Sequence, residues 1–220
     1  MSKRSRRHAQ IRPNERFYMV HEMLGRLGGM TFDMLHRLAW QGRKGQTCRD
    51  KLDQWERSGT LEKMHREVHG KAVTLYVLTE KGRKMLPDNV QPHLYQSPPT
   101  ENETNHVLRF GEFLFSLGSE LSSFVNEREL RIRNWQREEE ERDPEVTDGY
   151  VEIGERGAYI EIDSGDSGAR LAAKCAGLAA SGKPTRYLVY SKARLRTVTQ
   201  ALQKARAANV HITFVQVQQS

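Results

Sequence analysis

Leu61-Glu-Lys-Met-His-Arg-Glu-Val68 and Ala72-Val-Thr-Leu-Tyr-Val-Leu78 flank His69-Gly70-Lys71 and run into Thr79-Glu-Lys-Gly-Arg-Lys-Met-Leu86. Two runs rich in apolar and β-branched residues around a glycine turn predict a β-hairpin. Thr79 stands at a capping position, so Thr79–Leu86 reads as a short capped helix. Upstream, Glu15–Leu27 spaces Phe17, Val20, Leu24 and Leu27 at a helical period, and Gly28-Gly29 ends that helix. Thr31 then caps a second helix running through Trp40, with Phe32, Leu35, Leu38 and Ala39 on one face. After the turn Gln41-Gly-Arg-Lys-Gly45, a third helix from Thr47 to Arg57 turns Cys48, Leu52 and Trp55 inward and Arg49, Lys51 and Gln54 outward. Ser58-Gly59 stops it.

Three helices, a hairpin and a closing helix make a winged helix-turn-helix. The run Leu78-Thr-Glu-Lys-Gly-Arg83 resembles the Leu-Thr-x-x-Gly-Arg that follows the second wing strand in many winged-helix DNA-binding proteins. Charge agrees with that order. Residues 1–90 carry 19 Lys and Arg against 10 Asp and Glu, a net of +9; residues 91–220 carry 16 against 18, a net of −2. A basic part joined to a near-neutral part points to a nucleic-acid module with something attached. A helix fits the major groove, so the exposed polar side chains of the third helix are the candidate base readers. Those expected to touch DNA are Arg43 and Lys44 in the turn, Thr47, Arg49, Lys51 and Gln54 on the helix, and Lys63, Arg66 and Lys71 on the wing. His65, His69 and the Arg-rich residues 1–14 would approach the backbone or minor groove. Asp50 and Asp53 repel phosphate and must be aimed away from it.

The 220 residues suffice for two domains. Gln91-Pro-His-Leu-Tyr-Gln-Ser-Pro-Pro-Thr100 holds three of the seven prolines, and the charge changes beside it. The expected division is a basic tail 1–14, a winged helix 15–90, a linker 91–103 and a second domain 104–220. No run of about 18 apolar residues is present, so no membrane span is expected. The basic start Met1–His8 lacks the apolar stretch of a secretory signal. Cys48 and Cys175 make neither a disulfide framework nor a metal knuckle, which suits a reduced cytoplasm.

In the second part, Thr104–Asn126 reads as one long amphipathic helix bearing Val107, Phe110, Phe113, Leu114, Leu117, Leu121 and Phe124. Strands are predicted over Glu129–Trp135, Gly149–Ile153 and Ala158–Asp163. A helix over Ala169–Ala180, a strand over Arg186–Tyr190, a helix over Leu195–Ala207 and a strand over His211–Val217 follow. The whole is an α+β chain whose second part is an α/β layer with a mixed sheet. Gln136–Asp143, with Glu138–Glu141, reads as a solvated acidic loop.

Chemistry concentrates in Thr147-Asp148-Gly-Tyr-Val and Tyr159-Ile-Glu161-Ile-Asp163-Ser. Residues two apart on a strand share a face, so Glu161 and Asp163 point together. With Asp148 they are candidate ligands of Mg²⁺ or Mn²⁺ in a site of the kind that hydrolyses phosphodiesters. Fold order and acid spacing resemble the PD-(D/E)xK restriction-endonuclease-like superfamily. Its usual lysine is replaced by Asp163, and Lys174 on the following helix is the substitute that could project back over the sheet edge.

The full set of features is similar to the replication-relaxation family: a basic winged helix, the Leu-Thr-Glu-Lys-Gly-Arg run, a linker, a helix near His106, then Thr-Asp-Gly-Tyr and Tyr-Ile-Glu-Ile-Asp-Ser-Gly. The similarity covers residues 15–215. It implies a DNA-binding accessory protein of a plasmid or other mobile element, acting in replication control or mobilisation, with a degenerate nuclease-like domain. Two alternatives stay open: a metal-dependent endonuclease using Asp148, Glu161, Asp163 and Lys174, and an adaptor that recruits a relaxase or replication initiator. Double-stranded DNA and a second copy of the chain are the expected partners. Three superficial motifs lack their context. Gly165-Asp-Ser-Gly168 has no protease partners, Gly177–Lys183 closes a helix where a phosphate loop opens one, and His65 with His69 sit on a strand and turn where zinc spacing fails.

Overall fold

The computed structural model describes residues 13–68, 70–137 and 147–215. His69, most of the basic tail, the acidic run Glu138–Glu141 and the end of the last expected strand lie outside the described residues. α1 (Pro13–Leu27) begins at a proline, whose missing N–H costs a first turn nothing. Thr31 caps α2 (Phe32–Ala39) by accepting from the Met34 N–H, and α3 (Gly45–Arg57) starts two residues ahead of its sequence prediction. β1 (Leu61–Val68) and β2 (Lys71–Leu78) pair antiparallel from Leu61↔Leu78 to Val68↔Lys71. Met30 adds a bridge to Tyr76, with N–H···O bonds of 3.0 and 2.8 Å.

α4 (Glu80–Lys84) explains the Leu-Thr-x-x-Gly-Arg run in physical terms. Leu78 is buried, and the Thr79 hydroxyl donates to the Gly59 carbonyl at 2.7 Å while accepting from the Gly82 N–H. A Cβ at residue 82 would collide with the Thr60 carbonyl oxygen. Arg83 folds back to donate to the Leu78 carbonyl at 3.0 Å. Each letter of the motif closes the base of the hairpin.

The segment expected as a linker is packed. Leu94 is wholly buried against Gly25, and the Tyr95 N–H donates to the Gly25 carbonyl at 2.9 Å. α5 (Glu101–Leu117) follows, opened by a capping box between Thr100 and Glu103. Two predicted elements are corrected here. The helix predicted over Thr104–Asn126 ends at Leu117, where Gly118 takes a positive φ of 53°, and Leu121–Asn126 is a strand, β3. Glu129–Trp135, predicted as a strand, lies in a helix, α6 (Glu127–Trp135), because the Asn126 side chain accepts from the Glu129 N–H at 2.7 Å and caps it.

β4 (Gly149–Ile153), β5 (Arg156–Ile162), α7 (Gly168–Ser181), β6 (Thr185–Val189), α8 (Lys192–Lys204) and β7 (Val210–Phe214) complete the chain. The five-stranded mixed sheet has the order β3-β4-β5-β6-β7, antiparallel from β3 to β5 and parallel from β5 to β7. Helical crossovers are what parallel neighbours require. One buried cluster runs through both parts of the chain, from Leu24, Met34 and Leu52 through Phe110 and Phe113 to Val151, Ile160 and Leu188. A second cluster joins α7, α8 and the sheet through Cys175, Leu178, Tyr187 and Val198. Among the described residues no helix is long and apolar enough to cross a membrane.

Candidate functional site

Two regions carry the side chains singled out above. The first is the outward face of α3 and the hairpin beside it. Cys48, Leu52 and Trp55 are buried as expected, and the Trp55 ring meets His21 and Phe17 edge-on at 4.9 and 5.6 Å. This packing fixes which side of α3 faces solvent. Arg43, Lys44, Thr47, Arg49 and Gln54 are exposed, and so is Lys71 at the hairpin tip. The Arg49 guanidinium lies 4.8 Å over the Phe32 ring, and Lys51, half-buried, donates to Gln54 Oε1 at 2.8 Å.

Two wing residues are engaged within the chain. Lys63 Nζ lies 2.7 Å from Glu56 and 2.9 Å from Asp53, and these bonds, the Glu56 bond first, push its pKa up. Arg66, half-buried, donates to the Pro99 carbonyl at 3.4 Å. The acids on α3 are answered the same way: Asp53 by Lys63, and Asp50 by the Gln46 amide at 2.7 Å. Of the cations expected to touch DNA, those fully open to solvent are therefore Arg43, Lys44 and Arg49 at the start of α3 and Lys71 at the tip of the hairpin, whereas Asp50, Asp53 and Glu56 with Arg57 line a shallow depression toward the other end of α3.

The second region is the end of the sheet where β4 begins and β5 finishes. Asp148 precedes β4 and accepts from the Ile162 N–H at 2.6 Å, while His106 Nε2 on α5 lies 3.1 Å from its other oxygen. Burial is the largest influence on the His106 pKa and lowers it, but the Asp148 bond and the charges of Asp148 and Glu127 together outweigh it and the net shift is upward. Glu161 on β5 is 1% exposed and accepts from Lys174 Nζ at 2.6 Å. Burial and the nearby Asp148 raise its pKa well above the ordinary range, with Lys174 pulling the other way. Lys174 thus projects back from α7 over the sheet, and it also reaches Asp166 at 3.1 Å and Ser164 at 3.3 Å. Asp163 is held in a fork by Arg194 on α8, Nε to Oδ2 at 2.8 Å and Nη2 to Oδ1 at 2.6 Å.

Each of the three acids thus has a partner of its own: the His106 ring for Asp148, Lys174 for Glu161, Arg194 for Asp163. Asp148, Glu161 and Asp163, the candidate ligands of one Mg²⁺ or Mn²⁺, are each engaged with a different side chain. Among the described residues no group of three or more His, Cys, Asp or Glu side chains is arranged to hold a metal ion. A hard divalent cation needs several oxygens aimed at one point. Here Asp163 is turned into the Arg194 fork, and both Asp148 oxygens are engaged. Glu161 Oε2 is buried without a partner among the described residues, but it is a single oxygen.

Sequence reasoning missed His106, Asp166 and Arg194 as members of this cluster. Arg194 stands three residues after Ser191, whose hydroxyl accepts from the Arg194 N–H, so a cap was the only local signal. The Thr147-Asp-Gly-Tyr150 motif has its own packing reason. A Cβ at Gly149 would lie 2.6 Å from Phe110 Cζ and 2.9 Å from the Val125 carbonyl oxygen.

No curated protein and no solved structure matches this chain. Residues 22–183, 162 of the 220 and spanning both regions just described, match the model of the replication-relaxation family, so the chain belongs to that family.

Proposed function

We propose that this protein binds double-stranded DNA as an accessory factor in the replication or mobilisation of a plasmid or other mobile element. Its first three helices and hairpin act as a winged helix, and two copies serve a two-fold site. The observation that carries this is the grouping of Arg43, Lys44, Thr47 and Arg49 at the exposed start of α3, with Lys71 at the adjoining hairpin tip. Arg49 and Gln54 read base edges, while Arg43, Lys44 and Lys71 meet phosphates. Lys63 and Arg66 position the wing from within.

The sheet end is read as structural rather than hydrolytic, because its three acids are engaged with three separate partners. It closes the strand ends and presents a fixed surface that a relaxase or replication initiator could dock against. A salt titration of duplex binding tests the first half of the proposal. The expected log–log slope is strongly negative and becomes shallower by about one in Lys44→Ala; a slope near zero in the wild type refutes DNA binding. Incubation with supercoiled plasmid and Mg²⁺ or Mn²⁺ tests the second half. No nicking is expected, and nicking that Glu161→Gln and Asp148→Asn abolish would overturn the structural reading.

A further inference from the structure

β7 ends the sheet, and the way it pairs with β6 determines what its free edge offers. Thr185 N–H donates to the Asn209 carbonyl and Val215 N–H to the Val189 carbonyl. Residues 209, 211, 213 and 215 therefore point their peptide groups at β6, and residues 210, 212 and 214 point theirs outward. Among the described residues only the Val210 N–H of that outward set is taken, by the Ala207 carbonyl at 3.2 Å. The opposite edge, β3, is blunted: its ladder is irregular between Leu121 and Ser123, and Arg26 donates to the Phe124 carbonyl. Free edges usually carry a charge against chance pairing. From Ala207 to Ser220 the sequence has no Asp, Glu, Lys or Arg, in a chain that is 29% charged.

The side chains of the outward set are equally suggestive. Val210 and Ile212 pack toward α8, which places Phe214 on the same face, yet Phe214 is 38% exposed. Beside it lies a groove whose apolar floor is Leu202, Ala207, Val210 and Ile212 and whose rim carries Gln203 and Arg206.

We propose that β7 is the seam of a homodimer, pairing antiparallel with β7 of a second copy about a two-fold axis at Ile212. This names the surface for the two-copy part of the reading above and does not depend on DNA being bound. Antiparallel pairing about residue 212 sets Ile212 opposite Ile212 of the partner subunit and Val210 opposite Phe214 of the partner subunit. All are outward-facing positions: the Ile212 pair exchanges both of its hydrogen bonds, and each Val210 carbonyl accepts from the N–H of the partner subunit's Phe214, the Val210 N–H staying with Ala207. The phenyl ring of the partner subunit's Phe214 then lies over the groove beside Val210. Knob, groove and ladder match their own copies, as an isologous interface requires, and no like charges oppose one another along the seam.

Sedimentation velocity over a wide concentration range is the test. A species of twice 25.4 kDa is expected, with the dimer Kd raised at least about tenfold in Phe214→Lys and in Ile212→Pro. The Ile212 N–H makes no bond to β6, so the proline removes nothing from the fold's own ladder. Ile212→Cys is expected to form a disulfide across the axis, where Cα atoms sit about 5.5 Å apart, whereas His211→Cys is not. Cys48 and Cys175 are buried and do not compete. The two cysteine variants decide the matter should either of the others lose its circular dichroism. A wild type that stays monomeric, a dimer that both seam variants leave intact, or equal cross-linking from residues 211 and 212 overturns the proposal. Salt-dependent binding of Phe214→Lys to a single half-site separates a failed seam from failed DNA binding.

Discussion

His21 is wholly buried with its ring stacked 3.7 Å from Phe17. Its Nδ1 lies 2.9 Å from the Phe17 carbonyl oxygen, which only accepts, so Nδ1 carries the proton. Nε2 lies 3.1 Å from the Thr60 hydroxyl, the same residue whose carbonyl forces glycine at position 82. Burial brings its pKa down to about 4 from 6.5. The unfolded chain then binds the extra proton first: stability is complete above about pH 6.5 and falls as pH drops toward 4, by about 3 kcal/mol at most. Urea unfolding at pH 7.5 and pH 4.5 checks this, with a smaller difference expected in His21→Gln than in the wild type. An equal loss in both would show that another group is responsible. The periodicity puts residue 21 on the apolar face of α1, four after Phe17 and three before Leu24, but it does not reveal that its histidine links α1, α3 and the base of the hairpin. The pairing emerges only when Phe17, Trp55 and Thr60 meet in three dimensions.

The first six elements were legible because their signals are local. Thr31 and Thr79 are side-chain caps, Gly28 and Gly59 take positive φ, and the apolar residues of the first three helices keep a helical period. β3 and α6 were not legible, for a physical reason. Leu117, Leu121 and Phe124 continue the helical spacing of α5 across Gly118, and Leu130 and Ile132 alternate with charged residues as a half-buried strand would. Only the Asn126 cap with Glu127 and Glu129 in the first turn opposed that reading. Asn126 is buried, and its amide also donates to the Arg26 carbonyl at 2.6 Å and the His93 carbonyl at 3.1 Å. Asn126→Ala removes a cap and strips two carbonyls of their donor, an expected cost of about 2–3 kcal/mol. The urea midpoint measures it, and a change under about 0.5 kcal/mol would mean that water or a neighbour replaces all three bonds. At the sheet end, Asp148, Glu161 and Lys174 were readable as residues. Their separate partners were not, because His106 and Arg194 come from helices distant in sequence.

Across the whole molecule, the charge boundary near residue 90 is not a boundary in packing. Arg26 of α1 lies 4.2 Å over the Phe124 ring, donates to the Phe124 carbonyl and pairs with Glu129 at 3.1 Å. Arg37 of α2 forks onto Glu112 of α5 at 2.7 and 2.8 Å. The composition of residues 91–103 suggested a spacer because proline and serine break helices, but it conceals Leu94 and Tyr95, which fasten the segment to α1. One cooperative unfolding transition is expected, with tryptophan fluorescence and far-ultraviolet circular dichroism tracing the same urea curve. Buried Trp40 and Trp55 report the first part, Trp135 being already exposed and little changed by unfolding, and the secondary structure reports both. Two separated transitions would mean that the shared core is weaker than its burial suggests.

α5 stands between everything described. Its start abuts Pro99, which receives Arg66 of the hairpin; five residues on, about 7.5 Å along the axis, His106 holds Asp148; and Arg109 Nη1 donates to the Asp163 carbonyl at 2.8 Å. A helix is stiff along its length. The hairpin at its start and the carboxylate end of the sheet farther along are therefore held by one rigid element rather than joined through a spacer, as two arms are held by a set square.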